Sequence, residues 1–88
     1  MQTVSPENKQ MFGCDPEMFL ASVKDSLTYK FNGAYMVAAS LMSDAQEEIA
    51  MGADEAARLT LNRAKLVLFA MGEGKLVPIV TRDDKPLN

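Results

Sequence analysis

Two residues, Gly52 and Ala53, separate two helical patterns of nearly equal length, and that link constrains the fold more than anything else in the chain. Helix-favouring sequence runs from about 34 to 51 and again from about 55 to 71. At about 1.5 Å per residue each would be about 26 Å long. A link this short forces the second helix back along the first, as an antiparallel hairpin. Gly52 supplies the stop of the earlier helix, and Asp54 is expected to cap the later one.

A further helix is expected over 16–31. Asp15, Pro16 and Glu17 form a good start, with a capping carboxylate, a proline in the first turn and an acid beside the positive end of the helix dipole. Leu20, Val23, Leu27 and Phe31 recur at helical spacing with Phe19 beside them. Asn32-Gly33 ends the segment, and Asn32 is a candidate cap for the next helix. The helix over 34–51 carries the stripe Tyr35, Ala38, Ala39, Met42, Ala45 and Ile49, small or flexible residues that allow close helix packing. Before Asp15, residues 1–14 read as a flexible segment or a short helical turn capped by Ser5 and stopped by Gly13. After Gly72, "LVPIV" is apolar, but Pro78 bars it from a central strand, so it reads as an extended arm. Residues 81–88 read as a solvated tail. The expected fold is therefore all-α: one domain over 15–80, a three-helix bundle with an antiparallel hairpin and an extended apolar C-terminal arm.

The helix over 55–71 is apolar on two sides. Ala57, Thr60, Leu61, Ala64, Val67, Leu68 and Met71 fall within about 60° of one line at about 100° per residue. That face is expected to meet the other two helices. Leu59, Leu66 and Ala70 fall nearly opposite, with Phe69 at the edge. The chain's own ends or a second copy of the chain would have to cover this second side. Leu59, Leu66, Phe69 and Ala70 are accordingly the expected contact residues, with Leu76, Val77 and Ile79 as an arm that crosses to a partner.

Composition excludes several chemistries. The 88 residues contain no histidine, which removes the commonest general base and zinc ligand. Cys14 is the single cysteine, so no disulfide forms within one chain, and the thiol fits a reducing, cytoplasmic setting. The formal charge of −3 opposes a nucleic-acid footprint. The longest apolar run, "AYMVAASLM", is about half of a membrane span. "GEGK" at 72–75 follows a helix instead of preceding one, so it reads as a helix stop and not a phosphate loop. Asp44, Glu47 and Glu48 share a helix face and read as a solvated acidic surface, with Glu47 and Glu48 in reach of Arg58 and Arg63 across the hairpin. No cofactor, metal site or catalytic activity is expected. Two other readings are a nucleic-acid regulator using Arg58, Asn62 and Lys65 at i, i+4 and i+7, and an apolar-ligand binder lined by the alanines and methionines of the second helix.

The hairpin also resembles a single tetratricopeptide-type unit. Ala57, Leu61 and Ala64 match the spacing of that family's second helix, Gly52 sits at the turn, and Ala45 is small where the two helices pack. The match covers about 28 residues. The family's tryptophan and leucine-glycine pair are missing, Glu48 stands at the tyrosine position, no closing proline follows, and no second repeat is present. What the resemblance implies is protein binding on a helical surface. The expected function is thus a non-catalytic interaction module, an adaptor or regulatory subunit whose partner is itself, as a homodimer, or another protein.

Overall fold

A computed structural model describes residues 6–81. Among these residues the chain is all-α, as the sequence patterns require, with no strand. Five helices follow in order: α1 (Pro6–Phe12), α2 (Pro16–Asp25), α3 (Leu27–Asn32), α4 (Ala34–Ala50) and α5 (Asp54–Gly72). The Ser5 cap expected for α1, and residues 82–88 of the expected tail, lie outside the described residues.

The α4–α5 hairpin is the backbone of the fold. Both of its helices end in the same hydrogen-bonded motif. Gly52, at φ 81°, follows α4, with Gly52 N–H donating to Ile49 O and Ala53 N–H to Glu48 O. Gly74, at φ 77°, follows α5, with Gly74 N–H donating to Met71 O and Lys75 N–H to Ala70 O. A residue with a side chain rarely takes that backbone shape, so "GEGK" stops the helix with Gly74 as the left-handed residue. At its start α5 departs from expectation. Asp54 is the first helical residue and makes no capping bond; Ala53 occupies the cap position. Asp54 and Glu55 instead place two acids in the first turn, where the helix dipole favours them.

The helix expected over 16–31 is two helices. Asp15 caps the first as its sequence suggests, accepting from Glu17 N–H at 3.1 Å. Ser26 then breaks the run. Its hydroxyl donates to Val23 O at 2.7 Å, closing α2, and accepts from Tyr29 N–H at 3.2 Å, opening α3. The break changes the helical phase. Val23 stays buried, and Phe19 and Leu20 pack against the core, but Leu27 turns outward and Tyr29 takes the inward position.

The arm lies on its own chain. Ala34 N–H donates to Val77 O, Tyr35 N–H to Pro78 O, and Val80 N–H to Asn32 O. Val77 N–H donates to the Tyr29 hydroxyl oxygen at 2.9 Å. The arm therefore satisfies two of the first amides of α4, the task expected of Asn32; no side chain caps that helix. Gly33 makes this approach possible, because a Cβ there would sit 2.5 Å from Pro78 O.

The core that results is thin. Its central cluster is Val23, Ala34, Ala38, Val67, Ala70 and Leu76. At roughly 0.8 kcal/mol per buried CH₂, alanines contribute little. The larger apolar side chains lie mostly elsewhere.

Candidate interaction face

The α4 residues that point inward are Ala34, Ala38 and Ala45, with Val37, Leu41 and Glu48 half-buried beside them. The stripe read from sequence is thus split. Ala38 and Ala45 are core, whereas Tyr35, Met42 and Ile49 are exposed, about 60° further round the helix. On α5, Ala57, Thr60, Ala64 and Val67 are buried, whereas Leu61 and Leu68, expected to pack inward, are 41% and 38% exposed. They too lie about 60° beyond the buried set, in the same rotational sense. Because the helices are antiparallel, that rotation carries both strips to one side of the hairpin. On the opposite side α2 and Leu76 meet Val67 and Ala70, and α1 lies along the edge of α5 turned away from α4. The structure thus leaves one long side of the hairpin bare among the described residues, with Tyr35, Met42 and Ile49 on one helix and Leu61 and Leu68 on the other.

The seven contact residues expected from sequence are scattered by the fold. Ala70 is core, and Leu76 is 3% exposed, an anchor of the arm in its own domain. Leu59 and Leu66 are half-buried because α1 arrives over them. Leu59 lies beside Gly13, and Leu66 shares a hollow of about 130 Å³ with Met11, Phe12, Asn62, Lys65 and Phe69. Phe69 is 67% exposed, and Val77 and Ile79 are exposed on the outer side of the arm. Phe69 borders the bare side, sharing a hollow with Leu68, and the arm meets α4 beside Tyr35.

Two residues of the nucleic-acid reading, Arg58 and Asn62, have an internal task, together with Arg63. Arg58 donates to Gln10 O at 2.8 Å, Asn62 to Met11 O at 2.7 Å, and Arg63 to Phe12 O at 2.6 Å. Three successive carbonyls at the C-terminal end of α1, which a helix leaves without partners, are met by three side chains of α5. Two of them are cations at the negative end of a helix dipole. Arg58 also pairs with Glu55. That hydrogen bond holds the Glu55 carboxyl below its ordinary range and pushes the Arg58 guanidinium further up. Lys65 is exposed. The pairing expected between Glu47 or Glu48 and the arginines does not form, because α1 and Glu55 engage both arginines. Glu48 instead accepts from the buried Thr60 hydroxyl at 2.8 Å, tying α4 to α5.

Two other hollows lie on the surface. A groove of about 300 Å³ is lined by Glu17, Leu20, Ala21, Lys24, Lys75 and Leu76, and one of about 310 Å³ by Lys65, Leu68 and Phe69. Both open to solvent. The alanines that an apolar-ligand cavity would need are packed into the core. Asp44 and Glu47 are exposed, and among the described residues no cluster of acidic or cysteine side chains could hold a metal ion. Cys14 is half-buried with Sγ 3.6 Å from Phe12 O. No helix among the described residues is long and apolar enough to cross a membrane.

Compared with models of protein families, with curated proteins and with solved structures, the chain matches none. The functional reading therefore rests on the molecule's own surface. That surface is unusual in what it exposes: Tyr35, Met42, Ile49 and Phe69 are larger than any fully buried side chain, of which Val67 is the largest.

Proposed function

We propose that this chain is a non-catalytic helical interaction module, an adaptor or regulatory subunit that works by docking a protein partner on the bare side of the α4–α5 hairpin. One observation carries the reading: the fold puts alanines inside and a row of large apolar side chains outside. Contiguous exposed apolar surface of this kind marks contact sites in water. The lone cysteine and the lack of histidine fit a cytoplasmic protein that works by contact and not by chemistry.

The test is a photo-crosslinking amino acid placed at position 42, on the bare side, and in a separate variant at position 47, on the acidic flank of the same helix. Illumination in the native cell is expected to give a discrete polypeptide adduct from position 42 and none from position 47. Equal yields from both, or no adduct from position 42, would end this reading.

A further inference from the structure

We infer that the occupant of the bare hairpin side is a second copy of this chain, and that two hairpins close face to face into a four-helix bundle. This rests on the interaction reading above and names its partner. The argument begins with spacing. Tyr35, Met42 and Ile49 recur every seven residues, and so do Leu61 and Leu68. Ala38 and Ala45 recur every seven on α4, and Ala57 and Ala64 on α5. Each helix thus alternates a large residue at one heptad position with an alanine at the other. In bundles of antiparallel helices those two positions together face the common axis. In this fold the alanine half is buried and the large half is exposed. A two-helix hairpin can bury only one half of such a seam. A second hairpin, of the same length and with the same spacing, buries the other.

The area agrees. The five side chains on this face are between 38% and 59% exposed. At about 200 Å² for a fully exposed large side chain they present roughly 450 Å² per chain. Two copies bring roughly 900 Å² together from these residues alone. Flanking Ala39, Ser43 and Gln46, all exposed and uncharged, bring the total near the lower bound of about 1,200 Å² for a specific interface. A symmetric pair sets a patch against itself, so like charges on it would meet. None of the five is charged, and Asp44 and Glu47 lie round the other side of α4; on α5 Asp54 stands at the end of the patch, one heptad before Leu61, and Lys65 at its edge beside Leu68. The thin core gives the pairing its driving force, because small domains with little buried apolar volume gain much of their stability by self-association.

Sedimentation equilibrium from micromolar to hundreds of micromolar is expected to give twice the single-chain mass. Met42→Glu and Leu61→Glu each replace an exposed side chain, so the isolated chain keeps its helical circular dichroism. Each puts two carboxylates into the symmetric interface and is expected to weaken dimerisation by on the order of a hundredfold or more. Met18→Glu, at an exposed position on α2, leaves the dimer intact. A wild-type chain that stays at single mass throughout the range overturns the proposal, as does a dimer that survives both Met42→Glu and Leu61→Glu. The interaction reading fails separately: a single-mass chain that still crosslinks from position 42 to a different polypeptide removes the self-docking and leaves the module standing.

Discussion

Gly33→Ala is expected to be the most damaging small substitution in the chain, through the arm and not through the core. Gly33 sits at φ 100° and ψ 179°, a region that residues with a side chain avoid, and the strain of holding alanine there is about 1–3 kcal/mol. The new methyl would also lie 2.5 Å from Pro78 O and 2.8 Å from Ile79 Cα. Both are backbone atoms, so no rotamer change relieves the contact and the arm has to move. Moving it breaks the bonds from Ala34 N–H, Tyr35 N–H and Val80 N–H, each worth about 0.5–1.5 kcal/mol net. The expected loss is about 3–5 kcal/mol, a large fraction of the stability of a domain this small. Gly52→Ala is the control. It has φ 81° but nothing within 4 Å of an added Cβ, so only the backbone strain of about 1–2 kcal/mol applies. Urea unfolding followed by circular dichroism should separate the two variants by about 1–4 kcal/mol, with Gly33→Ala the less stable. Hydrogen exchange on the wild type gives a second readout, since the Ala34 and Tyr35 amides should be protected although they open a helix. Equal losses for the two variants, or exchange at Ala34 and Tyr35 as fast as in an uncapped first turn, would refute the docked arm.

Three further outcomes follow from side chains the structure places. Arg63→Ala removes a half-buried bond to Phe12 O, so α1 should detach while the hairpin stays folded; limited proteolysis should speed up within 6–14 with little change in the main melting transition, and unchanged cleavage would contradict this. Ser26→Ala removes the hydroxyl's bond to Val23 O and the cap of α3 while the Ser26 N–H still closes α2, with an expected cost of about 1 kcal/mol in urea unfolding; a stabilised protein would mean that one continuous helix is preferred. In a carbon-detected NMR titration Glu55 should ionise below the ordinary glutamate range, and Arg58→Ala should raise its midpoint. Since the folded-state value is depressed, the pair's contribution is present above the ordinary carboxylate pKa and is lost as pH falls through the folded value; full exposure makes the effect on stability small.

What could be read from sequence and what could not divide along a physical line. Signals that act within a few residues were legible. The short Gly52-Ala53 link gave the hairpin, Asp15-Pro16-Glu17 gave the start of α2, and Pro78 gave an extended arm. Signals that depend on which neighbour arrives were not. Ser26 lies in an unbroken apolar stripe, and nothing local distinguishes a serine that faces solvent from one that caps two helices. Asp54 looks like a cap, but the helix already begins at Asp54 and leaves Ala53, which has no capping side chain, at the cap position. Arg58 and Asn62 read as part of a basic helix face, and Arg63 as a partner for Glu47 or Glu48, because their actual acceptors, the last carbonyls of α1, are backbone atoms that every sequence has.

The bare face shows the same limit and also how to pass it. On α4 the inward alanines and the outward Tyr35, Met42 and Ile49 are only about 60° apart, so they merge into one broad stripe when all apolar residues are counted alike. On α5 Leu61 and Leu68 merge with Ala57 and Ala64 in the same way. Residue size, taken with the heptad, separates them. A pair of helices in close contact needs its smallest side chains along the line of approach, and the larger ones are then pushed to the flanks. Alanine at one heptad position and a large residue at the other, on both arms of a tight hairpin, therefore identifies the side facing the neighbouring helix and the side left for a further pair. By that rule the two-sided character of α5 has two separate causes. Leu59 and Leu66 are met by α1 within the chain. Leu61 and Leu68 join Met42 on the side that no described element covers, the side on which the proposed second hairpin would bury them.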